Sequence, residues 1–340
     1  MATGIGSLPL EDPDRAAALS LANLPEAPFW PQLPRRSFLE LMDAQYTQGL
    51  PGVVTDGGQH RVHFDSSRDL TGELERFYAA WLARDLDQFA LSPEYAAGFH
   101  AFRERLARGL PDGVRFLKGH VTGPLTAGVS LKDRDGVDVI HHELLYDVVV
   151  KGLALKAAWQ VRELSRLGRP VIVFIDEPAM ESLGSAFSSV AAETVAERID
   201  EVADMIHEFG GLAGIHCCGN ADWPLLFARR VDIVNFDAFD YLDRVLLYPA
   251  AIASFLERGG SLAWGIVPTG SFTGAETAQG LAARLEGGIG RLEAAGVPRT
   301  TLVRQGIVTP ACGLGSLPES SAEAILRLTA EVSSLMRARG

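Results

Sequence analysis

The chain is poor in cysteine and in positive charge, and it lacks a long apolar run. Three cysteines occur in 340 residues: Cys217, Cys218 and Cys312. So low and odd a number does not build a secreted disulfide scaffold, and the expected setting is the reducing cytoplasm. Lys and Arg number 31 against 43 Asp and Glu, for a formal net charge of -12. No nucleic-acid partner is expected, because neutralising phosphates takes a basic surface. No run of about 18 apolar residues appears, so no membrane span is expected. Met1 to Pro9 has no basic segment leading into an apolar one, so no signal peptide is expected either. No GxGxxG follows an early strand, which weakens the runner-up fold, a doubly wound open sheet that binds a dinucleotide.

What is present is an alternation of short apolar runs with long helical stretches. Strands are expected at Val114–Gly119, Pro170–Ile175, Gly211–Ile215, Asp232–Phe236, Ser261–Gly265 and Thr301–Val308. Weaker candidates lie at Gly52–Thr55 and around Ile5. Helical spacing fills Asp147–Leu167, Val190–Phe209 and Thr277–Ala295, each followed by a glycine that can end a helix. About eight strands alternating with helices imply an α/β fold, a single (β/α)8 TIM barrel spanning residues 1–340. Pro9, Pro13, Pro25, Pro28, Pro31 and Pro34 suggest an extended N-terminal arm. Ser66–Arg108 reads as a helical insertion.

The reactive residues fall where strands end. His216-Cys217-Cys218 follows the run Gly211–Ile215, and Cys312 follows the last strand. Asp176-Glu177 closes Pro170–Ile175, and Asp237 closes Asp232–Phe236. In a barrel the C-terminal strand ends converge on one face, which brings residues about 100 positions apart together. A borderline-soft cation such as zinc takes thiolate and imidazole ligands in a tetrahedral set. His216 and Cys218, two apart, can reach the same side of an extended segment. Cys312 would add a second sulfur and Asp237 an oxygen. Zinc deprotonates a coordinated thiol, which makes it a nucleophile. Cys217 should alternate away into the core. His120, His141 and His142, and the pair His60 and His63, are competing histidine sets. Trp223, Trp264 and Phe272 are candidates for a cleft wall.

The segments Gly4-Ile5-Gly6-Ser7, Thr122-Gly123-Pro124, Ile175-Asp176-Glu177-Pro178-Ala179, His216-Cys217-Cys218-Gly219 and Pro310-Ala311-Cys312-Gly313-Leu314 together resemble the catalytic barrel of cobalamin-independent methionine synthase. That family shares a superfamily with uroporphyrinogen decarboxylase and corrinoid-dependent methyltransferases. The resemblance covers nearly the whole chain. It implies one zinc ion per chain on His216, Cys218, Asp237 and Cys312, with Asp237 where the family commonly has Glu. It implies contact of Ile5, Gly6, Ser7 and Asp176 with homocysteine; Asp176 and Glu177 are the candidate catalytic residues. The implied reaction is methyl transfer to homocysteine, forming methionine.

Two departures bear on the methyl donor. A second, N-terminal barrel has no room in this chain. The family's histidine after the seventh strand is missing from Trp264-Gly265-Ile266-Val267-Pro268-Thr269. Both favour a methylated corrinoid over a methyl-folate, with methylcobalamin carried by a partner protein. Two other readings stay open. One is a uroporphyrinogen-decarboxylase-like lyase, which would need clustered arginines; Arg35-Arg36 is the dense candidate. The other is a non-catalytic barrel that binds zinc or docks a corrinoid protein.

Overall fold

The computed structural model describes residues 1–65, 67–183 and 190–339. Its first two strands, β1 (Val53–Asp56) and β2 (Arg61–Phe64), form a separate antiparallel hairpin. The Gly52–Thr55 run, expected in the main sheet, belongs here instead. Its residues are partly exposed, whereas a strand of the main sheet is covered on both faces.

The main sheet holds six parallel strands in sequential order. They are β3 (Leu117–Thr122), β4 (Val171–Asp176), β5 (Leu212–Cys217), β6 (Ile233–Phe236), β7 (Ser261–Val267) and β8 (Gly306–Pro310). Their residues are almost all buried, which explains the apolar runs in the sequence. The run Thr301–Val308 is a strand only in its second half, because Arg299–Arg304 is a helix. One register row sets Thr122, Asp176, His216 and Asn235 side by side across β3 to β6.

The N-terminal arm meets both edges of this sheet. Ala2 bridges Val308 of β8, Phe29 bridges Lys118 of β3, and Ser7 bridges Gln32 between the two arm segments, all in parallel. Thr3 N–H donates to the Val308 carbonyl and Trp30 N–H to the Lys118 carbonyl, each at 3.1 Å. Leu8 N–H donates to Gln32 O at 2.9 Å, and Gln32 N–H to Gly6 O at 3.1 Å. The arm is not extended throughout, since α1 (Pro13–Asn23) occupies its middle. The Asp12 side chain accepts from the Asp14 and Arg15 amides, and Pro13 presets the first turn.

The expected helical insertion contains α2 (Thr71–Ala83) and α3 (Ala97–Ala107); Ser66, its expected start, lies outside the described residues. Helices then alternate with the strands: α4 (Pro124–Ser130), α5 (Glu143–Ser165), α6 (Ala192–Glu208), α7 (Trp223–Phe227), α8 (Leu242–Val245), α9 (Pro249–Glu257), α10 (Ala278–Ala294), α11 (Arg299–Arg304) and α12 (Glu319–Arg339). In α6, Val195, Ile199, Val202 and Ile206 recur three or four apart and are buried, the stripe that seats a helix on a core. No helix among the described residues is long and apolar enough to cross a membrane.

Alternation along the strands yields two apolar clusters. Ile172 and Phe174 face one way and pack with Ile5, Ile233, Ala263 and Ile307. Val171, Val173 and Ile175 face the other way, into the larger cluster shared with the helices.

Candidate metal centre

β5 ends at Cys217, and its last side chains alternate between the two faces. Cys217 turns into the core, where burial pushes its thiol up to about 12 and its Sγ donates to the Gly219 carbonyl at 3.6 Å. His216 and Cys218 turn the opposite way and meet Cys312, which follows β8. The ligand atoms of His216, Cys218 and Cys312 all lie within 4.8 Å of one another; among the described residues no second such group of three occurs. None of the competing histidines belongs to this group. His142 sits 2.9 Å from an Asp133 oxygen, and His60 stacks on Phe38 with ring centroids 5.0 Å apart.

A residue that the sequence reading passed over orients His216. Asn235 lies beside it in the register, and its Nδ2 donates to the Ala263 carbonyl and to Thr309 Oγ1, both at 2.8 Å. Those two acceptors fix which end of the amide carries oxygen. That oxygen faces His216 Nδ1. Nδ1 therefore holds the proton, and Nε2 keeps its lone pair for a cation. The signal in the sequence was a lone polar residue amid the apolar run Ile233–Phe236.

The two sulfurs are unequal. Hydrogen bonding from the Cys312 thiol, aided by His216, pulls Cys218 well below the usual thiol range. The adjoining Cys218 thiolate, together with burial, holds the Cys312 thiol above it. Burial pushes His216 down, but the Cys218 sulfur and the Asp176 carboxylate more than offset this and its pKa is raised. The cluster thus favours negative charge on Cys218, which a divalent cation would balance.

Asp237, expected as a fourth ligand, stands outside the three-atom group. Its Oδ1 accepts from the Phe239 and Asp240 amides, both at 2.8 Å, and so shapes the turn after β6. Burial pushes its carboxyl up to about 6.

A cavity of about 360 Å³ opens onto the three donors. Ile5, Ser7 and Asp176 line it, as the sequence suggests. Gly6 does not. It packs on His120, where a Cβ would lie 2.8 Å from the ring. Ser7 Oγ accepts from the Gly315 amide at 3.1 Å. A side chain on Gly313 would collide with that hydroxyl, which explains the glycine after Cys312. Gln32, Leu41, Met42 and Ser316 also line the cavity, and none of them stood out in the sequence. Trp223 and Trp264 do not wall it and are core residues.

Asp176 and Glu177, paired in the sequence, part company. Asp176 faces the cavity, is 5% exposed, and its Oδ1 has no hydrogen-bond partner. Burial pushes it up to about 6, against the pull of Lys118 and His216. The Lys118 ammonium lies beneath, donating to the Ile5 carbonyl and covering the Phe174 ring at 4.3 Å. Glu177, expected to be catalytic, is fully buried away from the cavity lining. Its carboxylate accepts from the Leu125 amide at 2.8 Å, the Thr126 amide at 2.9 Å and the Thr126 hydroxyl at 2.7 Å. It caps the start of α4. Gly123 leaves the space that the Glu177 side chain fills, so the Thr122-Gly123-Pro124 and Asp176-Glu177-Pro178 segments interlock.

No family model matches the chain, and no curated protein matches it. Among solved structures, GH5_18 from Streptomyces cattleya in complex with GlcNAc superposes with a TM-score of 0.47 at 14% identity, over 100% of this chain and 81% of that one. A likeness at that level carries no argument about function.

The donor set fits zinc. Two sulfurs and one imidazole nitrogen converge, the imidazole is held in the right tautomer, and the cavity gives access to a further position.

Proposed function

We propose that the chain is a zinc-dependent methyltransferase that moves a methyl group onto homocysteine or a similar small thiol, forming methionine from homocysteine. The observation that carries this reading is the convergence of His216, Cys218 and Cys312 at a cavity also lined by Ser7 and an unpartnered Asp176 oxygen. Zinc held there by these three residues would keep an acceptor thiol deprotonated at neutral pH. The sulfur-rich ligand set suits a sulfur nucleophile better than a hydrolytic water. Ser7 and Asp176 would hold the acceptor's polar end, and Asp237 would border the metal without ligating it. The acceptor sulfur forms its bond to the methyl carbon as the donor's bond breaks, and the electron pair leaves with the donor.

In this reading the sheet closes into a single (β/α)8 barrel spanning residues 1–340. The arm segments that bridge β8, β3 and each other supply the two remaining staves. The two apolar clusters fit an inside and an outside. The donor is a methylated corrinoid brought by a partner protein, because Trp264–Thr269 lacks a proton-donating histidine. The place of action is the cytoplasm, where the three free cysteines stay reduced. The lyase alternative is weaker, since among the described residues no arginine lines the cavity. Arg35 donates instead to the Ser316 and Leu317 carbonyls, and Arg36 pairs with Glu40.

The test joins a metal assay to a donor screen. Protein purified under reducing conditions should hold roughly one zinc per chain and make methionine from homocysteine with methylcobalamin, but little with methyltetrahydrofolate. A metal-free protein inert with both donors would refute the reading. Brisk folate-dependent turnover would refute the donor assignment alone.

A further inference from the structure

Gln32 enters the cavity from the arm, two residues from the Trp30 that stacks on His120. Its backbone pairs with Gly6 and Leu8, and the parallel bridge places it beside Ser7. Its side-chain amide is not free to turn. Gln45, fully buried, donates through Nε2 to the Tyr95 carbonyl at 2.6 Å. Only the nitrogen can face a carbonyl, so Gln45 Oε1 points to Gln32 and accepts from Gln32 Nε2 at 3.2 Å. Gln32 is thereby left presenting its oxygen to the cavity. The cavity's other unspent acceptor is Asp176 Oδ1, buried and without a partner. The Ser7 hydroxyl, whose oxygen already accepts from the Gly315 amide, has its proton left to donate.

We propose that Gln32 is a specificity-determining contact for the acceptor's α-ammonium group, and that Gln45 is a positioning residue that holds the Gln32 amide with its oxygen toward the cavity. This rests on the thiol-acceptor reading above and deepens it. Two acceptors facing one donor-rich cation distinguish an amino-acid thiol from a thiol that lacks the amine. An oxygen left without its donor in a buried site is costly, so discrimination by such a pair is steep.

The full zinc-loaded chain is titrated calorimetrically with homocysteine and with 4-mercaptobutyrate, the same thiol without the amine. The unmodified protein should prefer homocysteine. Gln32→Leu should cut homocysteine affinity about 10- to 100-fold, the loss expected for one hydrogen bond to a charged group, and so collapse the preference. Gln32→Glu keeps an acceptor and should keep the preference. Gln45→Leu leaves Gln32 in place but frees its amide, and should lose part of it. In turnover with methylcobalamin the effect should fall on KM for homocysteine more than on kcat. Zinc content reports on folding. If Gln32→Leu fails to retain zinc, Gln45→Leu carries the test, and an unmoved preference there overturns the proposal. An unmoved preference in a zinc-retaining Gln32→Leu protein overturns it directly, as does failure of the unmodified protein to bind homocysteine. Gln32-dependent homocysteine binding without methyl transfer from any donor would sink the proposed reaction and leave the Gln32 assignment standing.

Discussion

Asn235 holds His216 by its Nδ1 and cannot turn its oxygen away, because its own Nδ2 is engaged by Ala263 and Thr309. The imidazole is thereby set in one tautomer before any cation arrives. Asn235→Leu removes that restraint and strands the Thr309 hydroxyl. Zinc affinity should drop about 10- to 100-fold, the usual cost of losing a histidine's outer partner. A competitive chelator titration reads this. An unchanged affinity would mean that the ring needs no such anchor.

The two cysteines of the centre should behave differently from the third. Cys218→Ser and Cys312→Ser each remove one of three converging ligand atoms and should abolish zinc retention through gel filtration. Cys217→Ser changes a core thiol on the other face of β5 and should retain the metal. Asp237→Asn should retain it too, since Asp237 lies outside the group. Metal content by atomic absorption decides, and equal loss in all four variants would contradict the ligand assignment.

The interlock of Gly123 with Glu177 is a matter of stability. Gly123→Ala drives a methyl group into the Glu177 side chain. The cost should be about 1–3 kcal/mol, the range for overpacking a filled site. Glu177→Ala leaves the Leu125 and Thr126 donors bare and should cost about 1–3 kcal/mol or more. Urea midpoints measure both. Because the two groups touch, the double variant should lose less than the sum of the singles.

His207 and Asp232 make a pH-dependent contribution of known sign. Their side chains meet at 2.7 Å, and the hydrogen bond to Asp232 raises the imidazole pKa above its ordinary 6.5. A raised folded-state value stabilises the protein fully below 6.5 and loses that contribution as pH climbs through the folded value. Both side chains are 36% exposed, so the effect is screened and at most about 1 kcal/mol. The melting-temperature gap between the unmodified protein and His207→Gln should narrow from pH 6 to pH 8. A gap that widens would reverse the assignment.

Much of this arrangement is legible in the residues themselves. Continuous apolar runs such as Val171–Ile175 announce strands buried on both faces. The reactive residues of β4, β5 and the segment after β8 fall at strand ends, where they meet. Other parts leave a fainter trace or none. The segments around residues 2–7 and 28–32 pair through isolated bridges, so only a weak strand signal around Ile5 and the prolines of the arm announce them. Residues 301–304 read as strand because Leu302 and Val303 continue into Ile307 and Val308. Glu177 read as catalytic because one dimension cannot show which face of a turn a carboxylate leaves by. Gln32, Gln45 and Asn235 act through amide orientation, which no periodicity encodes.

The arm that seams β3 to β8 also governs the order of assembly. Ser7 and Cys312 border the same cavity, yet some three hundred positions of chain separate them. Contacts of such long sequence separation form slowly, because loop closure must come first. His216 and Cys218 can gather early from one strand end, but the second sulfur and the serine arrive only when both termini meet. Capture of a cation by the complete donor set would therefore be a late event, and a chain halted before its last strand would offer only two of the three donors.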